Sequence, residues 1–387
     1  MPTSEQLEIK TLAHEFAAGE LRPHTHEWDE SRTLGDDVFG KLAELGFLGM
    51  LISEEHGGLD FDLLTYLLVL EELAWGDAAV ALAVSIHNGP VAGLVEWHGT
   101  DAQKKRWLPA LASGEALGAF ALSEAGAGSD PSGLRTSAAW DGEEWRIDGE
   151  KKWVTNGVRA GLLVTFARTG NEEISTFLVP GDAKNVSPGG REKTMGFRAS
   201  DTVTVCLEGV RVDGDGLLGA QGAGLRHALA ALDLGRIGVA VQASGVGRAA
   251  MEHAAGYALE REQFGREIAR FGAIQAKLAE MAARVSAGRA LAHEAAAAME
   301  AFRSGGVAVR TGVDGVTARA AIAKLVASEA ATWSADEAVQ IYGGYGYMRH
   351  YPVEKLLRDA KGYEIFEGTS EILRQVIARE VLRAAGD

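Results

Sequence analysis

The sequence predicts a multidomain α+β protein built in three successive parts: a helical N-terminal segment, a β-rich middle and a C-terminal bundle of long helices. Three observations carry this. From about Ser4 to Ser113, apolar residues recur at helical spacings of three and four. Between about Gly118 and Arg211 the period changes, and short runs rich in Val, Thr, Trp and Phe alternate with turn residues. Helical spacing then returns in segments of roughly 25–30 residues, longer than the mean helix of about 11–12 and suited to bundle packing.

In the first part, Leu63, Leu67, Leu70 and Leu73 share one helix face, and Val95 to Leu111 reads as another helix after a break at Gly89-Pro90. In the middle part, Thr136–Trp140, Trp145–Ile147, Leu162–Ala167, Ile174–Val179 and Thr202–Leu207 read as strands. Asp141-Gly142 and Asp148-Gly149 are dipeptides that tight hairpins prefer, because glycine accepts a positive φ. The glycine-rich stretch Asp213 to Gly224 reads as a linker. Beyond it, Ile274, Leu278, Met281 and Val285 follow one face, Ile322, Leu325, Val326 and Trp333 another, and Ile372, Leu373, Val376 and Ile377 mark a last helix. Ser304–Gly315 breaks two of these long segments. The divisions fall at 1–117, 118–222 and 223–387, and no internal repeat is visible.

With 387 residues the chain has room for two or three domains of about 150 residues. Against 38 Lys and Arg stand 54 Asp and Glu, a formal charge of −16, which disfavours binding to nucleic acid or to an anionic membrane. A composition of 47% hydrophobic and 24% charged residues excludes a disordered or fibrous chain. The single cysteine, Cys206, leaves no internal disulfide and fits a reducing compartment. No run reaches the roughly 18 apolar residues of a membrane span. Met1 to Lys10 carries acids and lacks the apolar core of a signal peptide. A cytoplasmic protein is the expectation.

Some apparent motifs fail on chemistry. Gly35 to Lys41 has P-loop spacing, but Leu42 stands where a Mg²⁺-binding hydroxyl belongs and two aspartates would repel phosphate; it reads as a helix N-terminus. His24 and His26 lie two apart, not on one helix face, and no third ligand is evident, so no metal is expected. Gly126-Ala127-Gly128 begins like a dinucleotide turn, but Pro131 takes the place of the last glycine.

Four segments remain. Ala121 to Asp130 is a small-residue turn whose N–H groups and hydroxyls can approach a ligand, or simply opens the β region. Lys152-Trp153-Val154-Thr155-Asn156-Gly157 places a Trp beside a Thr, able to stack on and hydrogen-bond a planar cofactor, although a strand Trp is also ordinary core. Asp233 and Arg236, in Leu232–Arg236, share a helix face and could form a surface ion pair; Arg261 to Gly265 follows. The fourth comprises Gln340 to Gly346 and Tyr363 to Glu371. There Glu367 sits between bulky Phe366 and Gly368 before a helix that Thr369 or Ser370 can cap. Desolvation would raise its pKa and the helix dipole would lower it, a setting for a general base or for an exposed capping acid.

In this order and spacing, across nearly the whole chain, the segments resemble the acyl-CoA dehydrogenase family. The resemblance implies an N-terminal helical domain, a middle β-barrel or sandwich and a C-terminal four-helix bundle. It also implies oxidation of an acyl-CoA thioester to trans-2-enoyl-CoA with bound FAD, which accepts the β-hydride that no side chain can take. Glu367 matches the family's catalytic base. Its backbone N–H, with a flavin ribityl hydroxyl, would hold the thioester oxygen and acidify the α-proton. Phe120, Leu122, Ser123, Trp153 and Thr155 match positions lining the flavin, Ser129 one near both cofactor and CoA, and Thr369, Ser370 and Glu371 positions approaching FAD. Asp233 and Arg236 match CoA contacts, and Gly368 lies against the thioester. Arg261, Gln263 and Phe264, with Gln340, Ile341, Tyr342, Gly343 and Gly344, correspond to FAD contacts from a neighbouring subunit, which implies a homotetramer.

Departures are informative. Ala125 replaces a common proline, and Gly272 stands where relatives often carry a FAD-contacting Gln, with Gln275 nearby. Gly235 occupies the place from which some branches, including isovaleryl-CoA and long-chain dehydrogenases, supply their base; here Glu367 must serve. Electron-transferring flavoprotein is the implied acceptor. The competing readings are an acyl-CoA oxidase on the same fold and a non-catalytic scaffold.

Overall fold

The computed structural model describes residues 2–305, 312 and 314–386. Helices α1 (Ser4–Phe16), α2 (Thr25–Ser31), α3 (Val38–Glu44), α4 (Leu63–Gly76), α5 (Ala78–Ile86), α6 (Gly93–His98) and α7 (Asp101–Ala112) form the first layer. The Thr3 hydroxyl and the Gln6 amide close a capping box at the start of α1. Asp77 ends α4 and caps α5, its carboxylate accepting from the N–H groups of Ala79 and Val80. Gly89-Pro90 does not break the chain as its composition suggests. His87–Ala92 forms a π-helical bulge that carries α5 on into α6, absorbing the N–H that proline lacks.

Two helical stretches, Ala78–His98 and Gly224–Glu260, are long and apolar enough to pass for membrane spans, contrary to the sequence expectation. The most apolar 18 residues of the first are wholly buried inside the protein, and those of the second largely so. Their apolar length comes from central packing through small residues.

The middle part contains β1 (Leu117–Ala121), β2 (Ser137–Trp140), β3 (Trp145–Val154), β4 (Ala160–Arg168), β5 (Ile174–Pro180), β6 (Val186–Arg191), β7 (Val203–Val212) and β8 (Leu217–Leu218). They pair in the order β6-β7-β3-β2-β4-β5-β8, with β1 running parallel along β4. Both faces of β4 are covered. Leu163 and Ala167 join the sheet's own core, while Leu162, Val164 and Phe166 pack into the main hydrophobic core. Asp141-Gly142 turns between β2 and β3 as expected, with Gly142 at φ +110°. Asp148-Gly149 instead lies inside β3, beside a bulge after Ile147. A Cβ on Gly149 would sit 2.3 Å from the Thr136 hydroxyl, so close strand approach explains this glycine.

The C-terminal part holds α8 (Gly224–Glu260), the short hairpin β9 (Glu262–Gln263) and β10 (Arg266–Glu267), then α9 (Gly272–Arg303), α10 (Val316–Tyr342), α11 (Pro352–Tyr363) and α12 (Ser370–Ala385). The packed face of α10 is not the Ile322, Leu325, Val326 and Trp333 face; those side chains are half-buried. Ala320, Ala323, Ala327 and Ala331 turn inward with Lys324 and Ser328. Small residues allow the close approach: a Cβ on Gly288 of α9 would lie 2.9 Å from the Ala327 backbone. Most of the predicted Ser304–Gly315 break, residues 306–311 and 313, lies outside the described residues.

Candidate active site

The segment between α11 and α12 is held from below by aromatic packing. Tyr363 is fully buried, and its ring and that of Phe366 both meet Phe197 edge-on, at 5.1 and 5.3 Å. Glu367 (φ +55°) and Gly368 (φ +97°) are then successively left-handed. For a glutamate this conformation stores about 1–3 kcal/mol and persists only when its surroundings impose it. Two buried cations do so. The Arg236 Nε donates to the Glu367 carbonyl at 3.3 Å, and the Lys324 Nζ donates to the Gly368 carbonyl at 2.6 Å.

This backbone directs the Glu367 side chain inward over Gly235 of α8. A Cβ at position 235 would lie 2.7 Å from the Glu367 Oε2. That oxygen is buried and has no hydrogen-bond partner among the described residues. Burial raises the Glu367 pKa to about 7, against the opposing pull of Arg236 and Lys324. Of the two influences read from the sequence, desolvation therefore prevails. Thr369 caps α12, its hydroxyl accepting from the Ile372 N–H, and the exposed acid at that helix start is Glu371. Glu367 is not the capping acid.

Asp233 and Arg236 form no surface pair. Their side chains are almost wholly buried at 3.0 Å, and the second Asp233 oxygen accepts from the Thr317 hydroxyl at 2.8 Å. Asp233 also lines a cleft of about 580 Å³, bordered by Trp97, His98, Arg226, Arg303 and Val316. Lys324, absent from the sequence reading, is fully buried; burial lowers its pKa to about 8 while Glu367 raises it. Its one sequence signal is a lone lysine on an alanine face.

The turn after β1 is rigidly framed. The Lys151 Nζ donates to the Leu122 carbonyl at 3.1 Å and to Glu124 at 2.8 Å, and the Lys152 N–H donates to the Ser123 carbonyl at 2.9 Å. Burial opposes ionisation of Glu124, but hydrogen bonds from Lys151 and Thr136 win and bring its pKa to about 2. Sequence spacing alone gives no sign of this Lys151–Glu124 frame. At the end of β3, Trp153 (φ +57°) is 55% exposed, so it is no core residue. The Asn156 amide ties this turn to the carbonyls of Ala83 and Gly118, each at 3.0 Å. Phe120, Ser123 and Thr155 are half-buried, Leu122 is buried and Ser129 is exposed. An exposed indole, the hydroxyls of Ser123 and Thr155 and a buried Ser370 hydroxyl without a hydrogen-bond partner among the described residues suit a planar, hydrogen-bonding cofactor such as a flavin.

The remaining predicted contacts lie elsewhere. Gln263, Phe264, Gln340, Gly343 and Gly344 are exposed, Phe264 by 93%, and Arg261 is half-buried. Between Gly235 and the end of α8 at Glu260, a rise of 1.5 Å per residue puts about 38 Å. The Ile341 and Tyr342 side chains belong to the core, which leaves their backbone groups for any contact outward. The Tyr342 ring stacks on Tyr257 at 4.1 Å and its hydroxyl donates to the His253 carbonyl. Gly272 faces open space, and Gln275 donates to the Ala269 carbonyl at 3.0 Å. His24 and Glu27 form an exposed pair at 3.7 Å, and Lys41 pairs with Glu20 and Asp37 at the start of α3.

A helical layer, a β sheet and a C-terminal bundle, with a buried carboxylate without a hydrogen-bond partner among the described residues on the segment between α11 and α12, define the class of the protein. Family profiles described as the acyl-CoA dehydrogenase N-terminal, middle and C-terminal domains match residues 3–115, 119–210 and 222–382. The chain belongs to the acyl-CoA dehydrogenase family. It is 38% identical to the mitochondrial short-chain specific acyl-CoA dehydrogenase of Bos taurus over 388 residues, covering 99% of this chain and 91% of that one. Butyryl-CoA dehydrogenase from Megasphaera elsdenii superposes with a TM-score of 0.93 at 36% identity, covering 99% of both chains. A Bacillus anthracis acyl-CoA dehydrogenase complexed with FAD gives 0.92 at 32%, covering 99% of this chain and 68% of that one.

Proposed function

We propose that this chain is an FAD-dependent acyl-CoA dehydrogenase in which Glu367 removes the α-proton of an acyl-CoA thioester. The observation that carries this is the unpartnered, buried Glu367 Oε2 over Gly235, with a pKa near 7. A base poised near the working pH combines a useful ionised fraction with a useful driving force. Bound FAD supplies the acceptor for the β-hydride. Trp153, with Ser123, Thr155, Ser370 and the start of α12, would hold it. The Glu367 N–H would donate to the thioester oxygen. Asp233 and Arg236 would orient the pantetheine arm near the cleft that leads outward. The relatives named short-chain and butyryl-CoA dehydrogenases favour a short acyl group.

A homotetramer is part of this reading. Arg261, Gln263 and Phe264 lie about 38 Å along α8 from Gly235, too far to reach the flavin beside their own Glu367. Those exposed groups, with Gln340, Gly343 and Gly344, would instead complete a neighbour's site. Domains spanning 1–117, 118–222 and 223–387, a cytoplasmic location and electron-transferring flavoprotein as acceptor follow from the same reading. Anaerobic titration of the yellow holoprotein with butyryl-CoA is the test, with bleaching of the flavin absorbance expected. A spectrum unmoved by butyryl-, isobutyryl-, octanoyl- and glutaryl-CoA would sink it. Peroxide formed in air at the rate of flavin reduction would identify an oxidase.

A further inference from the structure

Among the described residues β1 pairs with β4 alone, so its other edge must find hydrogen-bond partners elsewhere. At Gly118 both backbone groups are taken by buried side chains. The N–H donates to the His87 Nδ1 at 3.0 Å, and the carbonyl accepts from the Asn156 amide at 3.0 Å. His87 opens the π-helical bulge and is fully buried, with its Nε2 at 2.9 Å from the Leu48 carbonyl. Nδ1 thus faces a donor and Nε2 an acceptor, so the ring is neutral and carries its proton on Nε2. Burial favours that form, lowering the His87 pKa to about 4. The next residue, Asn88, grips the same segment, accepting from the Met50 N–H at 2.9 Å and donating to the Phe47 carbonyl at 3.0 Å. Asn156 also donates to the carbonyl of Ala83, one turn before His87 on α5. Strand and bulge touch closely: a Cβ on Gly118 would lie 2.5 Å from Val91.

Two turns hang from this one peptide. Strand β1 runs on to Phe120, Leu122 and Ser123, and Asn156 closes the left-handed turn that exposes Trp153. We propose that His87 is a positioning residue for the flavin: by holding the Gly118 N–H it fixes the spacing between the turn after β1 and the Trp153–Asn156 turn. This rests on FAD binding against those two turns. Without the imidazole acceptor, β1 shifts until its N–H finds another partner, and the cofactor must draw it back. The loss therefore appears in FAD affinity.

Two variants separate this role from simple core packing. In His87→Asn the amide oxygen takes the place of Nδ1 and keeps the Gly118 bond, while the Leu48 carbonyl loses its donor. In His87→Gln the longer amide reaches the place of Nε2 and keeps the Leu48 bond, while the Gly118 N–H loses its acceptor. The holoprotein is diluted serially and the fluorescence of released FAD is followed. His87→Gln should raise the FAD dissociation constant by about tenfold to 10²-fold, the scale of one buried donor left unpaired, and weaken the visible circular dichroism of the bound flavin. His87→Asn should stay close to wild type in both measurements. Equal effects in the two variants, or none, overturn the proposal, as does a greater loss in His87→Asn. Should either variant fail to fold, hydrogen exchange in the wild-type holoprotein decides. Residues 117–123 and 153–157 should open together, and free exchange of one segment while the other stays protected overturns the proposal. Wild-type protein that retains no FAD would instead overturn the flavin reading beneath it.

Discussion

Replacing Gly235 by alanine separates the chemistry of the site from its stability. The added methyl would lie 2.7 Å from the Glu367 Oε2, 2.9 Å from its Cδ and 3.1 Å from its Oε1. Reaching an ordinary contact of 3.4 Å requires the carboxylate to retreat by about 0.7 Å. A misplacement of about 1 Å can cost 10²-fold in rate, so flavin reduction by butyryl-CoA should slow by roughly 10- to 10²-fold. Folding should not suffer. The obstacle is the free end of a side chain, and alanine in a helix interior is favoured over glycine by up to about 1 kcal/mol. Stopped-flow bleaching under anaerobic conditions, paired with a thermal melt of the holoprotein, reads both quantities. The expected result is a slower enzyme that melts no lower than wild type. Bleaching at the wild-type rate would mean that the carboxylate does not work from its position over Gly235.

Other consequences follow from the charges around the same segment. Because Glu367 acts only when ionised and its pKa is raised to about 7, reduction should accelerate as pH rises through that value. Lys324→Met removes a cation that pulls this pKa down and a donor to the Gly368 carbonyl, so the acid limb of the pH–rate profile should move to higher pH. An unmoved limb would assign Lys324 a purely structural part. Lys355 bridges two fully buried carboxylates, Asp77 at 3.0 Å and Asp359 at 2.8 Å. Lys355→Met would strand both and should destabilise the protein by about 3–5 kcal/mol, measurable by chemical denaturation. Asp359 also accepts from the Phe197 N–H at 2.6 Å, so the loss should loosen the aromatic support under Glu367.

The three-part layout was legible because helical and strand periods differ, and Glu367 stood out as a candidate base because Glu367-Gly368-Thr369-Ser370 is a compact motif. Other features escaped for physical reasons. Strand β1, Leu117–Ala121, is largely small residues and shows no alternation. The buried face of α10 does not show in the spacing of large apolar side chains, because closely packed helices bury alanine, and Lys324 lies on that alanine face. Asp148-Gly149 reads as a hairpin because a tight turn and a close strand approach both demand glycine. The i, i+3 spacing revealed the Asp233–Arg236 pair but not its burial, which depends on Thr317 and Gly368, remote in sequence. Ile341 and Tyr342 turn inward from a motif whose Gln340, Gly343 and Gly344 face outward.

The account is tested most directly by Glu367→Gln in the FAD-loaded protein, mixed anaerobically with butyryl-CoA while the flavin absorbance is followed. The variant should keep its yellow colour and still bind the CoA ester, with reduction slowed by several orders of magnitude, because no nearby group can take the α-proton. Rapid bleaching in that variant would contradict the assignment of Glu367 as the base.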